Sequence, residues 1–132
     1  MADKTRDCEP TLTDSDVLDF CRNGYLLLEG VVDEDVNRRT LEFVADDTYY
    51  EPTSILDEDW FMEGVVMNSE AAGAVRCLLG AGFHLPVLMS NHRVTGPYAG
   101  TGGWHVDGNY VFSPEVNYLQ VFYYPQDTPV ES

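Results

Sequence analysis

Apolar positions fall into two textures along the chain. Up to about residue 80 they recur at helical spacing, and from about residue 85 they gather in short runs divided by Gly, Pro and Asn. Order should begin at Leu12-Thr13-Asp14-Ser15-Asp16-Val17, which has the grammar of a helix start. There Thr13 caps the free amides, Asp16 acts as a short capping-box acid and Leu12 staples onto Val17. Val17, Phe20 and Cys21 make one apolar stripe, and Gly24 ends the helix. Residues 25–29, Tyr-Leu-Leu-Leu-Glu, read as a short strand closed by Gly30.

A second helix is expected over residues 33–45, with Val36, Thr40, Phe43 and Val44 on one side and the surface arginines Arg38 and Arg39 on the other. Residues 46–59 carry many acids, Pro52 and two tyrosines, so they read as a surface loop without an assigned role. Asn68 or Ser69 should cap a third helix that runs to Leu79, burying Ala71, Ala74, Val75 and Leu78 and closing at Gly80 and Gly82. Residues 85–95, 104–111 and 118–124 are β-prone.

Helices first and strands later predict an α+β, mainly β domain, with amino-terminal helices packed on one face of a largely antiparallel sheet or barrel. A doubly wound fold is disfavoured. At 132 residues and 44% apolar, one domain is expected, since a chain of this size hides roughly two thirds of the surface its unfolded form exposes. Residues 1–11 should form a flexible amino terminus, with the folded domain over 12–132.

Charge narrows the partners. Twenty-three acids against seven bases give a formal charge of -16, which repels phosphate backbones and anionic bilayers, so neither nucleic acid nor membrane is an expected partner. The dispersed acids read as a solvated surface. No apolar run approaches the roughly twenty residues needed to cross a bilayer, and the first twelve residues lack the hydrophobic stretch of a signal peptide. Cys8, Cys21 and Cys77 form no Cys-x-x-Cys pair, and an odd number cannot all pair within one chain, which points to the cytoplasm or another reducing compartment. Cys21 and Cys77 fall on apolar helix faces, where a buried thiol is commoner than a nucleophile.

The candidate chemistry sits in Gly103-Trp104-His105-Val106-Asp107-Gly108. In extended backbone, side chains two apart share a side, so His105 and Asp107 can lean onto one ion with bonds of about 2 Å. An imidazole and a carboxylate suit Fe(II), and one further histidine would complete a facial triad with positions open to a bidentate cosubstrate and dioxygen. On spacing alone the commoner explanation is an Asx turn from Asp107 into Gly108 beside a surface histidine. The wider order of segments favours the metal.

That order is a helix, the segment Phe-Cys-Arg-Asn-Gly-Tyr-Leu-Leu-Leu-Glu-Gly-Val-Val, further helices, Leu88-Met89-Ser90-Asn91-His92-Arg93, a Gly/Pro loop, Trp104-His105-Val106-Asp107, and Tyr118-Leu119-Gln120-Val121-Phe122-Tyr123-Tyr124. It resembles the phytanoyl-CoA dioxygenase family over most of residues 12–132. The resemblance implies a double-stranded β-helix (jelly roll) holding Fe(II) and 2-oxoglutarate, with His105 and Asp107 as the first two iron ligands. It also implies oxidative decarboxylation of the cosubstrate and hydroxylation of a small organic or acyl substrate. Asn91 is the matching contact to 2-oxoglutarate, with Arg93 two residues on facing the same way. On the last run, the even-numbered side, Gln120, Phe122 and Tyr124, is favoured as pocket lining over Leu119, Val121 and Tyr123, and Tyr124 is taken with Asn91 and Arg93 as a cofactor-binding residue.

The family's second histidine and its cosubstrate arginine lie on later strands. Here no histidine follows His105 and no lysine or arginine follows Arg93. The expectation is therefore the amino-terminal and central part of such a domain, its carboxy-terminal strands missing, with self-association or a partner chain at exposed sheet edges. His84 and His92 precede the motif and are poorly placed to substitute. The rival reading is a non-catalytic jelly-roll binding module derived from that family. A metal hydrolase ranks last, for want of a second ligand cluster or a general base. The Gly-rich run 96–103 lacks the Lys-Ser/Thr and following helix of a phosphate-binding loop.

Overall fold

The computed structural model describes residues 8–45, 51–84, 89–90 and 113–127. Thr13 starts α1 (Asp14–Asn23) with a complete capping box: its hydroxyl oxygen accepts the Asp16 amide at 3.3 Å, and Asp16 Oδ2 accepts the Thr13 amide at 2.8 Å. At the other end Gly24 takes the left-handed φ of 77° and donates to Phe20 O, a conformation costly for any residue with a Cβ. No residue of α1 is buried, and Cys21, expected on its apolar face, is exposed.

The next helix, α2 (Glu34–Ala45), faces inward through Thr40, the one buried polar side chain among the described residues. Its hydroxyl donates to Val36 O at 2.9 Å, so the group enters the interior already satisfied. At the amino end of α4 (Ser69–Leu79), Asn68 Oδ1 accepts the amides of Glu70 and Ala71. The Asn68 amide nitrogen donates to Val31 O at 2.8 Å, so one side chain both caps α4 and holds the chain that enters α2.

Small residues let α4 be crossed closely. Ala72, Gly73 and Ala74 are its buried face, and residues 8–12 run over it. The Cys8 thiol donates to Ala72 O, the Thr11 hydroxyl to Glu70 O, and the Leu12 amide to Cys77 Sγ at 3.3 Å. A methyl group at Gly73 would lie 2.5 Å from the Glu9 carbonyl oxygen.

Part of the stretch read as a surface loop is instead the centre of the core. Thr53–Asp57 is a 3-10 turn, Asp59–Phe61 one α-helical turn (α3), and Met62–Val66 a π-helical turn closed by the Met67 amide on Met62 O. Ile55 and Phe61 are the two most enclosed large side chains, 1% and 0% exposed, and Pro52 is buried with them. Acids such as Glu51, Asp57 and Asp59 occupy exposed positions before and between them. The acid-rich texture was therefore one face of a helical segment, with its apolar residues turned inward.

The jelly roll is overturned. Among the described residues the chain is helical, with no strand, sheet or barrel. Residues 25–29 and 116–124 lack regular structure and join no ladder. β-propensity is the ability to fit a pleated, partnered surface, and without a neighbouring strand a β-prone run gains nothing from pairing. Residues 118–124 dock on helices instead. Tyr123 turns inward against Phe61, with ring centroids 6.1 Å apart, while Tyr118, Val121, Phe122 and Tyr124 stay exposed.

Candidate functional site

The residues on which the iron reading rests, Asn91, Arg93, His105 and Asp107, lie outside the described residues, as does His92. Tyr124 is described. It stands 69% exposed with its ring stacked on Phe122, centroids 6.5 Å apart and planes 19° apart. His84 is exposed just beyond the turn that follows α4. Among the described residues no group of three His, Cys, Asp or Glu side chains is placed to hold a metal ion.

What the fold does bring together is the segment 118–127 and α2. The Tyr123 hydroxyl donates to Asn37 Oδ1 at 2.6 Å, and the Asn37 amide nitrogen donates to Val32 O at 3.4 Å. Thr40 Oγ1 lies 3.4 Å from the same phenol oxygen. Burial pushes the Tyr123 phenol above its ordinary value, with the Thr40 hydroxyl opposing in part. The ring continues an aromatic row: Phe61 meets Trp60 edge-on at 5.7 Å, and Trp60 meets Phe43 at 6.4 Å. Arg39 caps that row, its guanidinium 4.4 Å from the Trp60 ring centre, and Glu58 accepts the indole N–H at 2.8 Å. Arg39 is thus a packing residue as well as a surface charge.

Beyond Tyr123 the chain turns at Pro125 and forms one wall of an open groove of about 810 Å³, whose other wall is α2. Glu34, Asp35, Arg38 and Glu42 stand along the helix wall, and Asp127 stands on the other. The spacing 34, 38, 42, 45 is one helical face. Arg38 is committed within that face, donating to Glu42 at 2.8 Å and to Asp35 at 3.1 Å. Asp35 first and Glu42 next hold its guanidinium more firmly protonated than usual. Among the described residues neither Glu34 nor Asp127 has an ion-pair partner.

The groove was not legible as a site, because Glu34 and Asp35 read as solvated surface and Asp127 lies more than eighty residues away. The signal available was the grouping of Glu34, Asp35 and Glu42 around a single arginine, Arg38, at helical spacing. No family model, curated protein or solved structure gives a significant match to the chain.

Proposed function

We propose that the chain belongs to a non-haem Fe(II)/2-oxoglutarate-dependent oxygenase that hydroxylates a small organic or acyl substrate, with His105 and Asp107 as iron ligands. One observation carries the reading: an imidazole and a carboxylate two residues apart, bracketed by Gly102-Gly103 and Gly108, in the segment order set out above. In an extended backbone, side chains two apart share a side, and glycines are the residues that permit a sharp bend at each end. The two donors present suit the group, since neutral nitrogen with anionic oxygen suits a borderline divalent ion; no histidine after His105 supplies the third ligand of a facial triad. When bound, iron with 2-oxoglutarate supplies the oxidant for a C–H bond.

The chain's own residues have simpler duties. The His105 imidazole would bind the metal through a lone pair of its neutral form. Asn91 and Arg93 are the polar groups for the cosubstrate, Arg93 by pairing a carboxylate and Asn91 by a neutral hydrogen bond.

The test is anaerobic titration of Fe(II) with 2-oxoglutarate present, followed by the charge-transfer absorption of the chelate. Wild-type protein should develop the band and release succinate on exposure to air. His105→Ala and Asp107→Ala should each abolish both signals, with the melting curve kept. Wild-type behaviour from both variants would refute the assignment. A protein that binds neither iron nor 2-oxoglutarate would leave the rival, a non-catalytic binding module, as the better reading.

A further inference from the structure

We propose that the groove between α2 and residues 125–127, together with the exposed aromatic pair Phe122 and Tyr124 beside it, docks a short basic and apolar segment of a partner protein. The proposal does not use Asn91, Arg93, His105 or Asp107; Phe122 and Tyr124, the side that the resemblance suggests as pocket lining, are read here as exposed docking surface instead.

Charge selects the occupant. Four carboxylates, from Glu34, Asp35, Glu42 and Asp127, face the groove against the single guanidinium of Arg38. That guanidinium is already shared between Asp35 and Glu42, and Glu34 and Asp127 pair with no cation among the described residues. Among the described residues the remaining cations are engaged elsewhere: Arg22 pairs with Asp19, Arg39 lies over Trp60, and Arg76 has a partner of its own. The described groove is therefore left with an excess of negative charge that a cationic partner would complement. A second copy, with the same formal charge of -16, is a poor source of positive charge.

Shape and apolar surface select the rest. Phe122 and Tyr124 are 60% and 69% exposed, stacked on one another, and Tyr124 runs directly into Pro125 of the groove wall. Tyr123 between them is pinned to Asn37, itself a groove residue, so the backbone that carries the two rings is anchored next to the groove. Ring faces accept guanidinium groups and aliphatic stems. From Asp35 to Glu42 the helix advances about 10 Å, a span that cationic side chains on one face of a short peptide can match. The fitting partner is thus a segment of alternating Arg or Lys and aliphatic residues, and an anionic bilayer or nucleic acid is repelled.

The test uses the full chain and fluorescein-labelled peptides of about ten residues: one of Arg and Leu, one with Ser replacing Leu, and one with Glu replacing Arg. Anisotropy should show binding of the Arg/Leu peptide that weakens at least tenfold between about 0.05 and about 0.5 M salt. The Ser peptide should bind several-fold more weakly and the Glu peptide not at all. Glu34→Gln with Asp127→Asn, and separately Phe122→Ala with Tyr124→Ala, should each weaken binding roughly fivefold or more. Asp57→Asn with Glu63→Gln, exposed acids outside the groove, should leave it unchanged. With wild-type protein, amide chemical-shift changes on titration should centre on α2 and residues 122–127, which tests the location without any variant. Equal weakening by the Asp57/Glu63 pair, shifts spread over the acidic surface, or no binding by wild type would overturn the proposal. So would a sedimenting dimer abolished by the Phe122/Tyr124 pair, which would give the face to a second copy.

Discussion

The Tyr123 hydroxyl reaches across 86 positions of chain to donate a 2.6 Å hydrogen bond to Asn37 Oδ1, while its ring lies edge-on to Phe61. This contact fastens the late segment 118–127 to α2 and the core. The same tether sets the second wall of the groove, because Pro125 and Asp127 follow within four residues.

Tyr123→Phe keeps the ring and removes the donor, so a partly buried amide carbonyl loses its partner at a cost of about 1–2 kcal/mol, measured by chemical denaturation. Tyr123→Ala also removes the ring and should cost more. Alkali supplies an independent check. The folded-state value of the phenol is raised by burial above its unfolded value near 10. Its contribution is therefore fully present below about pH 10 and is lost as pH rises through the folded-state value. A phenolate also cannot donate to Asn37. Stability should fall above about pH 10, and the fall should be shallower in Tyr123→Phe.

Replacing a helix-interior glycine by alanine ordinarily stabilises by up to about 1 kcal/mol, and at Gly73 the sign should reverse. The added methyl would meet the Glu9 carbonyl oxygen at 2.5 Å and Thr11 Cγ2 at 2.5 Å. Backbone cannot swing aside as a flexible side chain can, so residues 8–12 must lift from α4. Gly73→Ala should lower stability by about 1–3 kcal/mol and speed amide exchange at Leu12, which otherwise donates to Cys77 Sγ. Gly64 offers a contrast, since its Cβ would meet only the Val36 methyl groups at 3.0 and 3.1 Å. The cost of Gly64→Ala should shrink when Val36→Ala is added, as a double-mutant cycle would show.

The capping box at Thr13 makes an acid-side prediction. Hydrogen bonds from the Thr13 hydroxyl and then the Thr13 amide hold the Asp16 carboxyl below its ordinary value of 3.8. A lowered folded-state value means the contribution is present above the unfolded value and disappears as pH falls through the folded one. Amide exchange in the first turn of α1 should accelerate in that window near and below pH 3.8, and Asp16→Asn should remove the pH dependence. Thr13→Ala should destabilise by about 1 kcal/mol at neutral pH.

Helix ends were legible because their causes are local. Thr13 with Asp16, Gly24, Asn68 and Gly80 each act within a few residues, and the structure uses all of them as caps or stops. The interior of residues 53–66 was not legible, because Pro52 and the flanking acids carry a turn signal while Ile55 and Phe61 are buried by distant partners. The β-prone second half failed for a related reason: whether residues 118–124 pair as a strand or dock on helices depends on what lies beside them. The packing of this run was not legible from its polar groups either. Tyr123 turns inward and finds Asn37, while Phe122 and Tyr124 beside it stay exposed. The iron reading uses a spacing rule within one short segment, which is why it could be framed from sequence at all.

Phe61 joins both ends of the fold, since it touches Trp60 on one side and Tyr123 on the other and is fully enclosed. Truncating a buried phenylalanine costs about 3–5 kcal/mol through lost transfer energy and the cavity left behind, a large share of the roughly 5–15 kcal/mol that holds a domain together. Phe61→Ala should therefore melt early or populate a loosened state, read by loss of near-ultraviolet dichroism from the aromatic row. Phe61→Leu fills part of the space and should cost less. Arg39→Ala removes only the cation over Trp60, worth about 0.5–1 kcal/mol at a partly exposed site, and should shift Trp60 fluorescence while the fold persists. If Phe61→Ala proved as mild as Arg39→Ala, the core would have to lie elsewhere than on the turn from Thr53 to Val66.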